Sequence, residues 1–227
     1  LCFTGSGSEA SRRAFDKPLA KKCFERSGIL TPEWVVFDPA KRCEIEGRLA
    51  GIGEVFVVKP CRQGSSVGVT MAESVEEALA GAGRCYKNYQ SCMIEEFIRG
   101  RELTVSVLDG EALPIIEIKA ANGFYDFDAK YVDQGTEYLF DTISDDRLAR
   151  DIQERALRCF DAVGCEGFGR VDFMLGDNEQ VYAIEVNTIP GFTSHSLLPK
   201  AAERVGIDMS RLCVGIVEKA LEGASKK

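Results

Sequence analysis

The sequence predicts an α+β fold, in which antiparallel strands and amphipathic helices follow one another without the regular βαβ rhythm of a doubly wound sheet. Gly169 to Leu175 and Tyr182 to Asn187 each alternate apolar and polar residues, with turn chemistry at Gly176, Asp177 and Asn178 between them. They read as an antiparallel hairpin. Met93 to Ile98 and Leu103 to Leu108 read as strands around the turn Arg99-Gly100-Arg101. Leu148, Ile152, Ala156, Cys159, Phe160 and Val163 form a stripe at helical spacing.

The remaining elements follow from local signals. Asp16, Lys17 and Pro18 place a cap and a first-turn proline at the start of a helix that Gly28 ends. Val55 to Lys59 is a short buried strand, and Val57 to Val69 reads as strand, loop, strand. Ser74 and Glu77 form a capping box opening a helix through Ala78, Leu79, Ala82, Cys85 and Tyr86. Ile115 to Lys119 is a strand, followed by an aromatic loop from Asn122 to Tyr131, and two helices close the chain after Pro190-Gly191.

At 227 residues the chain can bury a substantial core as one large domain or two lobes, and its 45% hydrophobic content is that of a globular protein. No apolar run is long enough to insert in a membrane, and no secretory signal is visible. Lys and Arg number 28 against 36 Asp and Glu, a net charge of −8, which argues against nucleic-acid binding but not against a nucleotide ligand. Nine cysteines without paired metal-ligand spacing read as reduced structural thiols in a cytoplasmic protein. The chain opens on Leu1-Cys2-Phe3 and reads as part of a longer protein.

The hairpin carries the strongest chemical signal. If Leu175 pairs with Tyr182, Asp172 lies opposite Glu185 and Arg170 opposite Asn187, so all four polar groups share one face. Two carboxylates ~5 Å apart repel by roughly 3 kcal/mol at an effective dielectric of about 20, which a cation between them would relieve. Two carboxylates and an amide suit Mg²⁺ or Mn²⁺ rather than zinc. A solvated polar face with a salt bridge from Arg170 is the competing reading. In Lys59 to Val69, Gly64 frees the backbone for close approach, Ser65 and Ser66 add donors, and Lys59 can neutralise phosphate; a plain turn competes. Glu95, Ile98 and Glu102 lie where carboxylate and main-chain groups can meet an adenosine, or form a mere acidic strand edge. The Asn122–Tyr131 loop has the length and composition of a lid or of a loop whose aromatics pack down. The run Asn187 to Leu197 leads into a helix whose N-terminus can hold a carboxylate, and its His195 reads by default as a structural residue.

Taken together, Thr4-Gly5-Ser6-Gly7, Asp16-Lys17, Lys59 to Val69, Ile94-Glu95-Glu96-Phe97, Phe124 to Tyr131, Gly169 to Asp172 and Glu185 to Leu197 resemble, in order and spacing, the ATP-grasp enzymes. Within them the chain resembles the D-alanine–D-alanine ligases, over nearly its whole length. The resemblance implies two α+β lobes gripping ATP between antiparallel sheets. A central lobe would span residues 1–98, with its phosphate loop at 59–69, and a C-terminal lobe residues 99–227, with a lid at 122–131 and the metal hairpin at 169–187.

By position it implies that Lys17 and Lys59 contact ATP phosphates, that Lys130 is a lid lysine touching ATP, that Glu95, Ile98 (through its backbone) and Glu102 contact adenosine, and that Asp172, Glu185 and Asn187 hold Mg²⁺ or Mn²⁺. Arg170 and the N–H of Gly191 would stabilise the oxyanion. Ser196 and the N–H of Leu197 would hold the second D-alanine's carboxylate, and Ser65 with Tyr131 would form the hydrogen-bonded pair that closes the site. The reaction implied is phosphorylation of one D-alanine to an acyl phosphate, attack by the amine of a second, and loss of phosphate, with preference for D-alanine over D-lactate. The family's further N-terminal domain, with a glutamate that meets the first alanine's amine, has no counterpart among these residues, so an incomplete first-substrate site is expected. Another carboxylate–amine ligase and a non-catalytic ATP-binding module are the alternative readings; the resemblance leaves room for a homodimer.

Overall fold

The computed structural model describes residues 2–119 and 135–224. Two antiparallel sheets organise them. The smaller has the order β1-β4-β2-β3, built from β1 (Trp34–Val36), β2 (Phe56–Lys59), β3 (Thr70–Ala72) and β4 (Met93–Glu96). The larger runs β10-β9-β5-β7-β8, with β6 (Glu111–Ala112) paired to β5. Its long strands are β5 (Gly100–Leu108), β9 (Phe168–Gly176) and β10 (Val181–Asn187); β7 (Ile116–Lys119) and β8 (Glu137–Phe140) complete it.

Helices α1 (Ser8–Phe15), α2 (Lys17–Arg26) and α5 (Asp146–Val163) pack on one face of the larger sheet. Helix α2 starts as expected, with the Asp16 carboxylate accepting from Leu19 N and Pro18 in the first turn. Its inward residues meet α5 and β10 in a core containing Phe24, Leu103, Val105, Ile152, Phe160 and Phe173. Each such fully buried side chain contributes about 1.5–3 kcal/mol. Helices α3 (Arg42–Leu49) and α4 (Val75–Tyr89) cover the smaller sheet around Leu49, Phe56, Val58 and Leu79. Helix α6 (Leu197–Arg204) packs with α7 (Met209–Ala224) near the β7 end of the larger sheet. Among the described residues no helix is long and apolar enough to cross a membrane.

Several expectations are corrected in detail. The first strand of the expected 93–108 pair stops at Glu96, and Gly100 already belongs to β5 rather than to a turn. The strand after the phosphate loop starts at Thr70. The left-handed backbone of that loop falls on Ser65 (φ 54°), Ser66 (φ 57°) and Gly68 (φ 74°), not on Gly64. Gly68 is also the tight position, because a Cβ there would sit 2.7 Å from the Tyr89 ring. In the capping box of α4 the Ser74 hydroxyl accepts from Glu77 N, but Glu77 reaches back to Glu73 N instead of Ser74 N. The short β1 and β8 and the polar helices α1 and α3 were outside the expectation; α3 buries only Ile45 and Leu49.

The hairpin register carries the most informative correction. Leu175 pairs with Val181, one residue short of the expected Tyr182. A bulge between Ala183 and Glu185 then adds one residue to β10, and Glu185 comes opposite Asp172 and Asn187 opposite Arg170, as expected. The side-chain period of a strand is two, so the bulge alone puts Glu185 on the Asp172 face.

Candidate active site

A cavity of about 410 Å³ lies between the two sheets. From the smaller sheet and its loop it takes Lys59, Ser65, Glu95 and Ile98; from the larger sheet Glu102, Asp172 and Glu185; and from α2 Lys17. Lys130 and Tyr131 lie outside the described residues. Arg170, Asn187, Gly191, Ser196 and Leu197 do not line the cavity; they continue outward from the end of the hairpin.

On the smaller-sheet side, β2 and β4 pair so that Lys59 stands opposite Met93 and Val57 opposite Glu95. The Glu95 carboxylate is buried, with Oε1 accepting from Lys59 Nζ and Oε2 lying 2.9 Å from Lys21 Nζ. Burial alone would raise its pKa, but the two ammonium groups reverse that and bring it down to about 2. Lys21 is fully buried. Burial lowers its pKa to about 8, although Glu95 pulls the other way. The phosphate loop is tied to α2 from both sides. Lys17 N donates to Cys61 O at 3.0 Å, Lys17 Nζ donates to Gln63 O at 2.6 Å, and Arg62 Nε meets the capping Asp16 at 2.7 Å.

On the larger-sheet side, Asp172 is held by its own strand and the next. Arg170 donates through Nε and Nη2 at 2.8 Å to both carboxylate oxygens, and Thr104 Oγ1 on β5 donates to Oδ1 at 2.6 Å. Glu185 Oε2 lies 3.7 Å from Lys17 Nζ. Asn187 Oδ1 accepts from Ile189 N at 3.1 Å. Further along the cavity Glu117 accepts from Arg101 at 2.6 Å; that contact outweighs burial and lowers its pKa. Among the described residues no group of three His, Cys, Asp or Glu side chains gathers; Asp172 and Glu185 stand at opposed positions on the hairpin, with Asn187 two residues further along β10. All are oxygen donors, and the two carboxylates face each other, which fits Mg²⁺ or Mn²⁺.

The segment after the hairpin is a tight turn. A Cβ on Gly191 would lie 2.7 Å from Ser196 Oγ, so only glycine lets the chain pass the serine this closely. Ser196 occupies the cap position of α6 without a side-chain capping bond; its hydroxyl accepts from Thr193 N at 3.0 Å. His195 is exposed in this turn.

Sequence reasoning passed over Lys21, Thr104 and the Arg101–Glu117 pair. The signal for Lys21 was present: Lys17, Lys21 and Phe24 stand at helical i, i+4, i+7 positions, so a stripe that includes Phe24 has to bury the lysines with it.

Comparison with known proteins agrees with this arrangement. Residues 23–218 match the family model described as D-ala D-ala ligase C-terminus. A D-alanine–D-alanine ligase of Syntrophotalea carbinolica is 43% identical over 223 residues, covering 98% of this chain and 70% of that protein. The crystal structure of the D-alanine–D-alanine ligase from Bacillus anthracis superposes with a TM-score of 0.88 at 34% identity, covering 100% of this chain and 73% of that one. A structure of the Bacillus anthracis enzyme complexed with ATP gives 0.86 at 30% identity, covering 100% and 72%. The two-sheet arrangement is the ATP-grasp fold. The chain belongs to the D-alanine–D-alanine ligase family.

Proposed function

We propose that this chain carries the ATP-grasp lobes of an ADP-forming ligase that joins two D-alanines through a D-alanyl phosphate, supplying D-alanyl-D-alanine for peptidoglycan. The activity of the D-alanine–D-alanine ligases that the chain resembles and the ATP complex of the Bacillus anthracis enzyme support the substrate classes. A cytoplasmic setting accords with ATP as co-substrate. The observation that carries the reading is the Asp172–Glu185 pairing, set by the β10 bulge, across the cavity from Lys59.

In this reading Lys17, Lys59 and Lys130 neutralise phosphate oxygens, while Glu95, Ile98 and Glu102 receive the adenosine. Asp172, Glu185 and Asn187 hold the divalent cation, which when bound draws negative charge from the phosphates. The Arg170 guanidinium, released from its bidentate contact when Asp172 turns to a cation, is placed to meet an oxyanion together with the Gly191 N–H. Ser196 and the first-turn N–H of Leu197 hold the second substrate's carboxylate, a use of helix N–H groups that have no partner within the helix. Ser65 and Tyr131 close the site against water. The lobe boundary at 98/99 lies between β4 and β5, but α1 and α2, though they precede the smaller sheet, pack with the larger one and belong with its lobe.

The test is calorimetric titration with ATP, with and without Mg²⁺, on the wild type and on an Asp172→Asn/Glu185→Gln variant. The expected result is a loss of Mg²⁺-dependent affinity of at least 100-fold with the fold retained. Unchanged Mg²⁺-dependent binding in the variant would remove both residues from the metal site. Phosphate release with D-alanine and product identification by mass spectrometry, on the full gene product, tests the ligation itself.

A further inference from the structure

Lys21 is 0% exposed and lies on the turn of α2 that faces both sheets. Its Nζ donates to Thr31 Oγ1 at 2.7 Å and to Pro32 O at 3.1 Å, and stands 2.9 Å from Glu95 Oε2. Thr31 Oγ1 in turn donates to Ala183 O at 2.8 Å, at the start of the β10 bulge. A continuous polar chain therefore runs from Lys59 through Glu95, Lys21 and Thr31 to the strand that carries Glu185.

The charge count explains why a lysine is buried here. Without Lys21, Glu95 and Lys59 form a closed, neutral pair beside the cavity, and Lys59 is bound to a carboxylate that competes with any phosphate. With Lys21 on the other carboxylate oxygen, two cations share one anion, and the cluster keeps one net positive charge. Lys21 is not among the residues lining the cavity, so it acts through Glu95.

Resting on the nucleotide reading above, we propose that Lys21 is a positioning residue for phosphate binding: it shares Glu95 with Lys59, and so weakens the hold of that carboxylate and leaves Lys59 available to a nucleotide di- or triphosphate. The charged groups around it are Glu95 from β4, Lys59 from β2 and Glu25 from its own helix, while β10 contributes only an uncharged carbonyl through Thr31.

The experiment compares ADP with Mg²⁺ against adenosine, by calorimetry on the wild type, Lys21→Met and Lys21→Arg. A unit charge acting on a polyanion at ~8–10 Å, with an effective dielectric of about 20, gives an expected loss of roughly 10- to 100-fold in ADP affinity for K21M. Adenosine touches Glu95 but carries no phosphate, so its affinity should fall several-fold less than that of ADP, and K21R should recover most of the loss. At pH 8, near the pKa of Lys21, the wild type should also take up a fraction of a proton on binding ADP, seen as a buffer-dependent heat that K21M lacks. A purely structural role would lower ADP and adenosine affinity alike, and that outcome overturns the proposal, as does unchanged ADP affinity in K21M. Should K21M fail to fold, Lys21→Gln takes its place with the same ADP and adenosine titrations, and an ADP affinity equal to that of the wild type overturns the proposal. A wild type that binds no ADP overturns the nucleotide reading itself and this inference with it.

Discussion

Glu95 and Asp172 are both buried carboxylates on opposite walls of one cavity, yet they are neutralised by different routes. Asp172 takes its cation from Arg170, two residues away on the same strand and on the same face. Glu95 takes its cations from Lys59, 36 residues away, and from Lys21 on a helix near the start of the chain. A pair made within one strand can open when a ligand arrives, since the arginine needs only a new rotamer. A pair made by three separate elements can open only if the packing opens with it. The larger-sheet wall is thus suited to exchanging partners, and the smaller-sheet wall to holding a fixed charge.

The sharpest way to break this contrast is to remove the fixed anion. Glu95→Gln leaves two buried ammonium groups sharing no carboxylate, and truncating one partner of a buried ionic cluster costs ~3–5 kcal/mol. Urea unfolding of the variant should show that loss as a lower midpoint at unchanged slope; a change under ~1 kcal/mol would mean that the lysines find other partners.

Acid provides a second, variant-free test. The folded pKa of Glu95 is about 2, below its ordinary value of 4.5. Its stabilisation is therefore complete above pH ~4.5 and lost as pH falls toward 2. The amount is on the order of 3 kcal/mol for a shift of this size. Unfolding free energies measured from pH 5 to pH 2 should fall more steeply for the wild type than for Glu95→Gln, and parallel curves would count against the cluster.

The smallest effect is expected on the exchanging wall. Thr104→Val removes the hydroxyl donor to Asp172 but leaves the arginine in place, so stability should drop by about 1 kcal/mol. Mg²⁺-dependent ATP affinity should fall by roughly 5-fold, because a carboxylate that loses an orienting hydrogen bond holds a cation less well. A loss of stability as large as that of Glu95→Gln would erase the distinction between the two walls.

The same contrast decides what could be read from the residues alone. The Asp172 face was legible, because alternation within a strand displays Arg170, Asp172, Glu185 and Asn187 as a set. Its register was not, since the bulge before Glu185 leaves no mark in an apolar Ala183-Ile184 pair; the expected Leu175–Tyr182 pairing failed while the carboxylate pairing held. Helix α2 was legible through Asp16 and Pro18, and the spacing of Lys17, Lys21 and Phe24 marked Lys21 for burial; its carboxylate partner was not legible, because it lies 74 positions away. Helix α3 escaped notice for want of a stripe, with only Ile45 and Leu49 turned inward. Ser65 and Ser66 take the left-handed backbone that glycine usually supplies, so Gly64 misdirected the expectation by one residue.

Helices α1 and α2 precede the smaller sheet in the chain but pack on the larger one, so the smaller sheet is an insertion into a larger unit. The chain leaves through Thr31 to Glu33 and returns through Phe97 to Arg99, and the two crossings are joined by Glu96 N donating to Glu33 O at 2.8 Å. A body tethered by one strand can rotate about any axis, whereas one tethered by two adjacent strands is denied free twist. What two neighbouring crossings leave is rocking about the line that joins them. Lys21 sits at that line, bonded to Thr31 and Pro32 on the way out and paired with Glu95 just before the way back. The buried lysine ties both crossings to helix α2.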